Sequence, residues 1–224
     1  VEPSLTAAAD NLTDFVPLMS YSDFNTDSDS ERELSPLLQA IVPKLAPCRV
    51  REFQPEDLEA CVEIYRSNEP DYLDPEGLHA FVEFLAIGTS YYLVLEHDGE
   101  IVACGGLELI GDSDTAHLVH GMVHGEYHRR GFGTTLLAAR LSLLETEDRP
   151  IEVVLQTTRT SVPFYGHFGF ALHSVSDNPP GPEKERATVW LGIDDQDIED
   201  IRLALEERSI QIFLNDPMED EDEE

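Results

Sequence analysis

Four histidines, His117, His120, His124 and His128, crowd one short stretch that runs straight into Arg129, Arg130, Gly131, Phe132, Gly133 and Thr134. Histidine titrates near neutrality, so any of the four could take a proton from a nucleophile. The residues after them suit a different task. Glycine at 131 and 133 lets backbone approach a ligand without a Cβ in the way. A leucine-rich run, TTLLAARLSLLET, comes next, with Leu137, Leu141 and Leu144 at helical spacing. A loop that opens a helix presents unpaired N–H groups and partial positive charge, and two arginines add side chains matched to phosphates. The local expectation is a phosphate or pyrophosphate seated over residues 128–134. A Walker A loop is excluded because no lysine is present there, and a dinucleotide fingerprint because only GxG is found, late in the chain. The histidines straddle a strand and a loop rather than one helical face, so no metal site is expected.

The elements that must hold these residues can be read from periodicity. A short helix is expected over 36–41, a strand at VREF, a helix in QPEDLEACVEIYRS and a second over 75–87. SYYLVLE and EIVACGGLEL alternate about His97-Asp98-Gly99, a hairpin signal. AHLVHGMV reads as the next strand, with His117, Val119 and Gly121 on one face and Leu118 and His120 on the other unless a bulge intervenes. IEVVLQ suits a buried strand, SVPFYGHF a short helix, FALHSVS and ATVWLGI a last strand pair. After them comes an amphipathic helix with Ile198, Ile201 and Leu205 on one face. The order implies an α/β fold, a mixed layer with helices covering a central sheet.

MVHGEYHRRGFGTTLL resembles the acetyl-CoA-binding signature of the GCN5-related N-acetyltransferase (GNAT) family, [Q/R]-x-x-G-x-[G/A] after the fourth strand. His128 stands in the first slot in place of Gln or Arg, and Gly125 where the family often has proline. Downstream, PFYGHFGF is similar to the family's FYxxxGF segment. The resemblance spans Cys48 to Ile193 and implies a mostly antiparallel sheet of the acyl-CoA N-acyltransferase fold. It implies acetyl-CoA as acyl donor and direct attack by a primary amine of a small molecule or peptide. Backbone at Met122 and Val123 would bind the pantetheine amides, and His128, Arg129, Arg130, Gly131, Phe132, Gly133 and Thr134 the pyrophosphate. Thr158 and Ser161 replace the family's frequent Asn and Ala. Tyr165, protonated at neutral pH, would donate to the coenzyme sulfur. The proton-accepting residue of several relatives lies eleven positions before the motif's first slot, which is His117; His120 ranks second. Cys104 need not act, because the family generally forms no acyl-enzyme. The alternative reading is a non-catalytic acyl-CoA-binding or protein-interaction module.

Composition sets the bounds. The chain has 224 residues and a formal net charge of −32, with 14 lysines and arginines. That balance argues against a nucleic-acid partner. The resemblance implies an acceptor pocket built over 68–87 and 177–186, and Glu69, Asp71, Asp74 and Glu76 in the first stretch make a cationic acceptor the expected class. No apolar run is long enough for a spanning helix, so no membrane partner is expected. Three widely spaced cysteines suit a reducing cytoplasm. The expected organisation is an acidic arm over 1–47, partly disordered, a transferase domain over 48–193, and a helix with an acidic tail over 194–224. Both monomer and homodimer are compatible with the sequence.

Overall fold

The computed structural model describes residues 35–88, 91–109, 114–146, 149–176 and 186–215. Most of the acidic arm, the acidic tail and the loop DNPPGPEKE lie outside the described residues.

Ser35 caps helix α1 (Pro36–Ile41), its hydroxyl accepting from the Leu38 N–H. Strand β1 (Arg49–Glu52) precedes α2 (Leu58–Ser67) and α3 (Leu78–Ile87), both entered through a 3-10 turn that begins with proline. Strands β2 (Tyr91–His97) and β3 (Glu100–Leu109) form the expected hairpin. Its two turn residues, Asp98 and Gly99, both take positive φ, as the favoured tight hairpin turn requires. Then come β4 (Thr115–Val123), α4 (Phe132–Leu141), β5 (Ile151–Thr158), α5 (Val162–Gly166), β6 (Ala171–Ser176), β7 (Arg186–Ile193), α6 (Asp195–Glu207) and β8 (Ile212–Phe213).

The eight strands form one sheet in the order β6-β7-β5-β4-β3-β2-β1-β8. Pairing is antiparallel except for β4 with β5 and β1 with β8. Period-2 alternation divides the side chains between two cores. Leu93, Leu95, Ala116, Leu118, Val153, Leu155 and Val189 join α1, α4 and α6 on one face. Tyr92, Val94, Cys104 and Met122 join Cys61, Ile64, Tyr65, Phe81 and Leu85 of α2 and α3 on the other. Leu37, Leu38, Ala40, Ile41, Leu45 and Ala46, read from sequence as the end of an arm, sit in the first core, as do Ile198, Ile201, Ala204 and Leu205 of α6. The reason is local: α4 is buried all round, and α1 and α6 supply the apolar cover it needs. Within SIQIFL, Ile210 sits in the core and Ile212 pairs beside Val50 of the same chain.

Strand β4 is irregular along both of its edges. Its pairing with β5 runs only from Thr115 to Leu118. On the other side, Gly106 faces Val119 but Cys104 faces Met122, so Gly105 opposes both His120 and Gly121. This is a β-bulge, and His120 takes φ 43° within it. Gly105 and Gly121 allow the strands to close over the side chain of Arg140, which rises from α4. A Cβ at Gly105 would lie 2.9 Å from the Gly121 Cα and 3.2 Å from Arg140 Nη1. Gly105→Ala is therefore expected to lower unfolding free energy by roughly 1–3 kcal/mol, the usual cost of overpacking, in urea titrations monitored by circular dichroism.

Candidate active site

Where β4 leaves β5, a cleft of about 1450 Å³ opens. It is lined by the free part of β4, the loop into α4, the ends of β5 and β7, α5, and the segment between α2 and α3.

At one end the loop after β4 turns through a 3-10 turn (Gly125–Tyr127) into α4. Gly125 lies against the end of α2: its N–H donates to the Ser67 hydroxyl at 2.9 Å, and a Cβ there would lie 2.9 Å from the Ser67 carbonyl oxygen. That close approach accounts for glycine at this position. Arg129 and Gly131 both have positive φ, 58° and 96°, which turns the loop sharply into the helix. A Cβ on Gly131 would collide with the Lys44 carbonyl oxygen. Thr135 ties the first turn of α4 to the segment beneath, its hydroxyl accepting from Ala46 N–H (2.8 Å) and donating to Ala46 C=O (3.1 Å).

The first-turn N–H groups of α4 have no intrahelical acceptor and face the cleft mouth with the positive end of the helix dipole. Arg129 and Arg130 are exposed beside them, Arg130 stacked over Tyr127 at 4.7 Å, and Lys44 lies across the mouth against His167. This donor set, with glycine backbone at 131 and 133, fits a pyrophosphate.

His128 does not point out of the loop as a phosphate ligand would. Its Nε2 lies 2.9 Å from the Val123 carbonyl oxygen, so that nitrogen carries the proton. Asn68 Nδ2 donates to the same oxygen at 2.9 Å, and the two bonds pin the loop and the end of α2 to the end of β4. Met122 is buried toward α2 and α3, while Val123 packs toward α4. Thr158 closes the end of β5 with its hydroxyl 2.9 Å from that of Thr160 and 3.0 Å from that of Ser161.

Tyr165 is buried at the back of the cleft, on α5. Burial raises its phenol above the ordinary value, and the adjacent Arg140 guanidinium pulls the other way. The hydroxyl is thus protonated at neutral pH and available as a donor.

The bulge revises the expected facing of the histidines. Ala116 and Leu118 enter the α4-side core, so His117 projects to the opposite face. Strict alternation would have put His120 with Leu118. The extra residue instead turns its ring against Phe81 and Phe84 of α3, at 5.3 and 4.6 Å between centroids. Both histidines therefore share the α2–α3 face and both line the cleft. Burial, and then the positive charge of Arg186, hold the His120 imidazole below its ordinary pKa. His124 is withdrawn into the loop, where Nδ1 accepts from the Glu126 N–H at 3.3 Å.

Away from the loop, Asp71 and Asp74 line the cleft with Tyr65, Tyr72 and Arg186. Glu69, between the cleft-lining Asn68 and Pro70, has a buried carboxylate oxygen, Oε1, with no hydrogen-bond partner among the described residues. Cys104 is fully buried against Cys61, away from solvent, and does not line the cleft. Among the described residues no group of three or more His, Cys, Asp or Glu side chains could hold a metal ion, and no helix is long and apolar enough to cross a membrane. Arg140 is the cleft residue that sequence reasoning missed. An arginine in a run of leucines and alanines reads as a solvent-facing position, and only the companion glycines 105, 106 and 121 hinted at a large buried group.

Residues 58–170, just over half of the chain, match the family model described as acetyltransferase (GNAT) family. The chain belongs to that family, the acetyl-CoA-dependent N-acetyltransferases. Solved structures share the fold. A GNAT-family protein from Desulfovibrio desulfuricans superposes with a TM-score of 0.55 at 17% identity, covering 66% of this chain and 100% of its own. The ribosomal-protein-S18-alanine N-acetyltransferase of Escherichia coli gives 0.54 at 17% identity, over 66% and 95%. An aminoglycoside 6'-N-acetyltransferase complexed with coenzyme A gives 0.53 at 15% identity, over 65% and 97%. A search of curated protein sequences returns no match.

Gly131 is the position at which the loop is most sensitive to change. Gly131→Ala places a Cβ in a positive-φ position against a backbone oxygen, a strain of roughly 1–3 kcal/mol. Acetyl-CoA should bind about tenfold more weakly or worse by calorimetry, and the melting temperature should fall by about 2–10 °C, the strain being carried by the folded chain.

Proposed function

We propose that this cleft transfers an acetyl group from acetyl-CoA to a primary amine on a cationic small molecule or peptide, by direct attack. The observation that carries the reading is the opening of β4 from β5 with the amide-rich loop at one end and Tyr165 at its back. Bound at the opening, the coenzyme supplies the activated thioester. The chain's own groups do the rest: loop amides and Arg129 and Arg130 hold phosphates, β4 backbone at Met122 and Val123 orients the pantetheine, and Tyr165 donates a proton to the departing sulfur.

Proton acceptance from the amine is assigned to His120 ahead of His117, reversing the order drawn from residue counting. His117 lies in the closed part of β4, paired between Glu108 and Val154, whereas His120 stands beside the open part. Its depressed pKa keeps the ring neutral at pH 7, ready to accept. At the acceptor end, Asp71, Asp74 and the unpartnered Glu69 oxygen favour an ammonium-bearing molecule, with the exposed Tyr72 ring as a further surface for a cation. Three free cysteines, two of them buried, fit a cytoplasmic location.

Acetylation of a panel of polyamines, aminoglycosides, arylamines and peptides with labelled acetyl-CoA tests the assignment. Cationic amines should turn over fastest; preference for neutral arylamines would overturn the acceptor class, and coenzyme binding without turnover on any amine the activity. Tyr165→Phe should lower kcat by about 100-fold, the usual contribution of a general acid, with coenzyme affinity unchanged. The acid limb of kcat/KM should lie below about pH 6.5, activity being lost as falling pH protonates His120 through its lowered pKa. His120→Gln should abolish that limb and His117→Gln should leave it in place; the converse result would return the role to His117.

A further inference from the structure

Arg140 is 2% exposed, and among the described residues no carboxylate pairs with it. A buried cation without a counter-ion is costly, by several kcal/mol even after relaxation. The acceptors it has are modest. Nε donates to Leu136 C=O of its own helix at 3.2 Å, and Nη1 makes a long 3.5 Å contact to Gly106 C=O. The titratable groups that face it are the Tyr165 hydroxyl from α5, Tyr92 from β2 and Cys104 from β3, all neutral in their ordinary forms. Tyr92 already donates its proton to the His120 carbonyl, 3.2 Å away. The guanidinium also reaches the open part of β4, since a Cβ at Gly121 would lie 2.9 and 3.0 Å from its two terminal nitrogens. It lines the cleft together with Tyr165.

We propose that Arg140 is a positioning residue of the transfer, aiming the Tyr165 hydroxyl at the thioester sulfur and stabilising the phenolate left when that proton departs. The proposal rests on the assignment of Tyr165 as proton donor. The amine nitrogen bonds to the acetyl carbon, the carbon–sulfur bond breaks, and its electron pair goes to sulfur. The Tyr165 proton then passes to sulfur, leaving coenzyme thiol and a phenolate beside Arg140. The amine proton goes to the base and on to solvent, and the phenolate regains a proton from solvent. A buried guanidinium supplies the anion's partner before the anion exists, so no reorganisation accompanies its formation.

The test combines Arg140→Gln, Arg140→Lys, Tyr165→Phe and the Arg140→Gln/Tyr165→Phe double variant. Arg140→Gln should lower kcat by about tenfold or more with the coenzyme Kd within about threefold of the starting value, and Arg140→Lys should restore part of the loss. In the Tyr165→Phe background, Arg140→Gln should cost little further, because the two act as one unit. In protein labelled with fluorotyrosine, whose lower pKa brings titration into range, the Tyr165 19F signal (identified by its loss in Tyr165→Phe) should titrate at higher pH in Arg140→Gln. Should the glutamine variant fail to fold, Arg140→Met keeps the volume without the charge and serves the same comparison. An equal loss in both backgrounds, or an unmoved titration, would overturn the role of Arg140 while leaving Tyr165 in place. Unchanged kcat in Tyr165→Phe alone would instead overturn the donor assignment.

Discussion

Arg140 enters the sheet from α4 and meets backbone where a buried arginine ordinarily meets a carboxylate. That contact constrains much of the centre of the molecule. The two strands above it can close only if neither carries a Cβ at the crossing, which fixes glycine at 105 and 121. Gly121 in turn sits in the bulge that re-aims His120 toward α3. The end of β4 beyond the bulge is then held from the α2 side by Asn68 and from the loop side by His128, both on one carbonyl oxygen. The strand keeps its pairing with β3 while its other edge is left open, and an edge with free peptide groups is what an amide-bearing ligand can pair with.

The cleft has two chemically distinct ends because two different layers of the fold supply them. The end at the loop into α4 is built by backbone: a helix start, positive-φ residues and a hydroxyl clamp from Thr135. Residue identity matters little there beyond glycine and the two arginines. The other end is built by side chains from α2, the segment before α3, β4 and β7 around Tyr65, His120 and Arg186. Its aromatic wall, Tyr65 stacked on Phe81 at 5.4 Å with Phe84 against His120, is continuous with the second core. Rigidity at that wall is inherited from packing, so the cost of holding the imidazole in place is met once, by the core.

Much of this was legible in the residues. The element order, the Asp98-Gly99 hairpin and the loop into α4 each rest on local rules, and each lies where those rules put it. The face of His120 turned on whether a bulge intervened, which a period-2 reading cannot locate; the bulge depends on what lies under Gly105, which is far away in sequence. The same holds for Leu37, Leu38 and Ile41, which look like a fragment beside acidic low-complexity sequence and become core only when α4 and α6 are present to receive them. His128 matched the motif's first slot by position, but its actual partner, the Val123 carbonyl, is a matter of loop conformation. In each case the information lost was tertiary.

The distribution of charge bears on how the coenzyme arrives. Five of the 14 lysines and arginines, Lys44, Arg129, Arg130, Arg140 and Arg186, line one cleft in a chain of net charge −32. Within about one Debye length of the surface, some 8 Å at physiological salt, a polyanionic ligand meets repulsion from the excess of carboxylates, which the cations of the cleft offset locally. Salt then acts on the two halves of the encounter in opposite senses. Screening removes the outer barrier and quickens arrival, yet it also loosens the grip of the inner cations and quickens departure. Affinity in such a molecule is a poor reporter of electrostatics, whereas the separate association and dissociation rates carry its full signature.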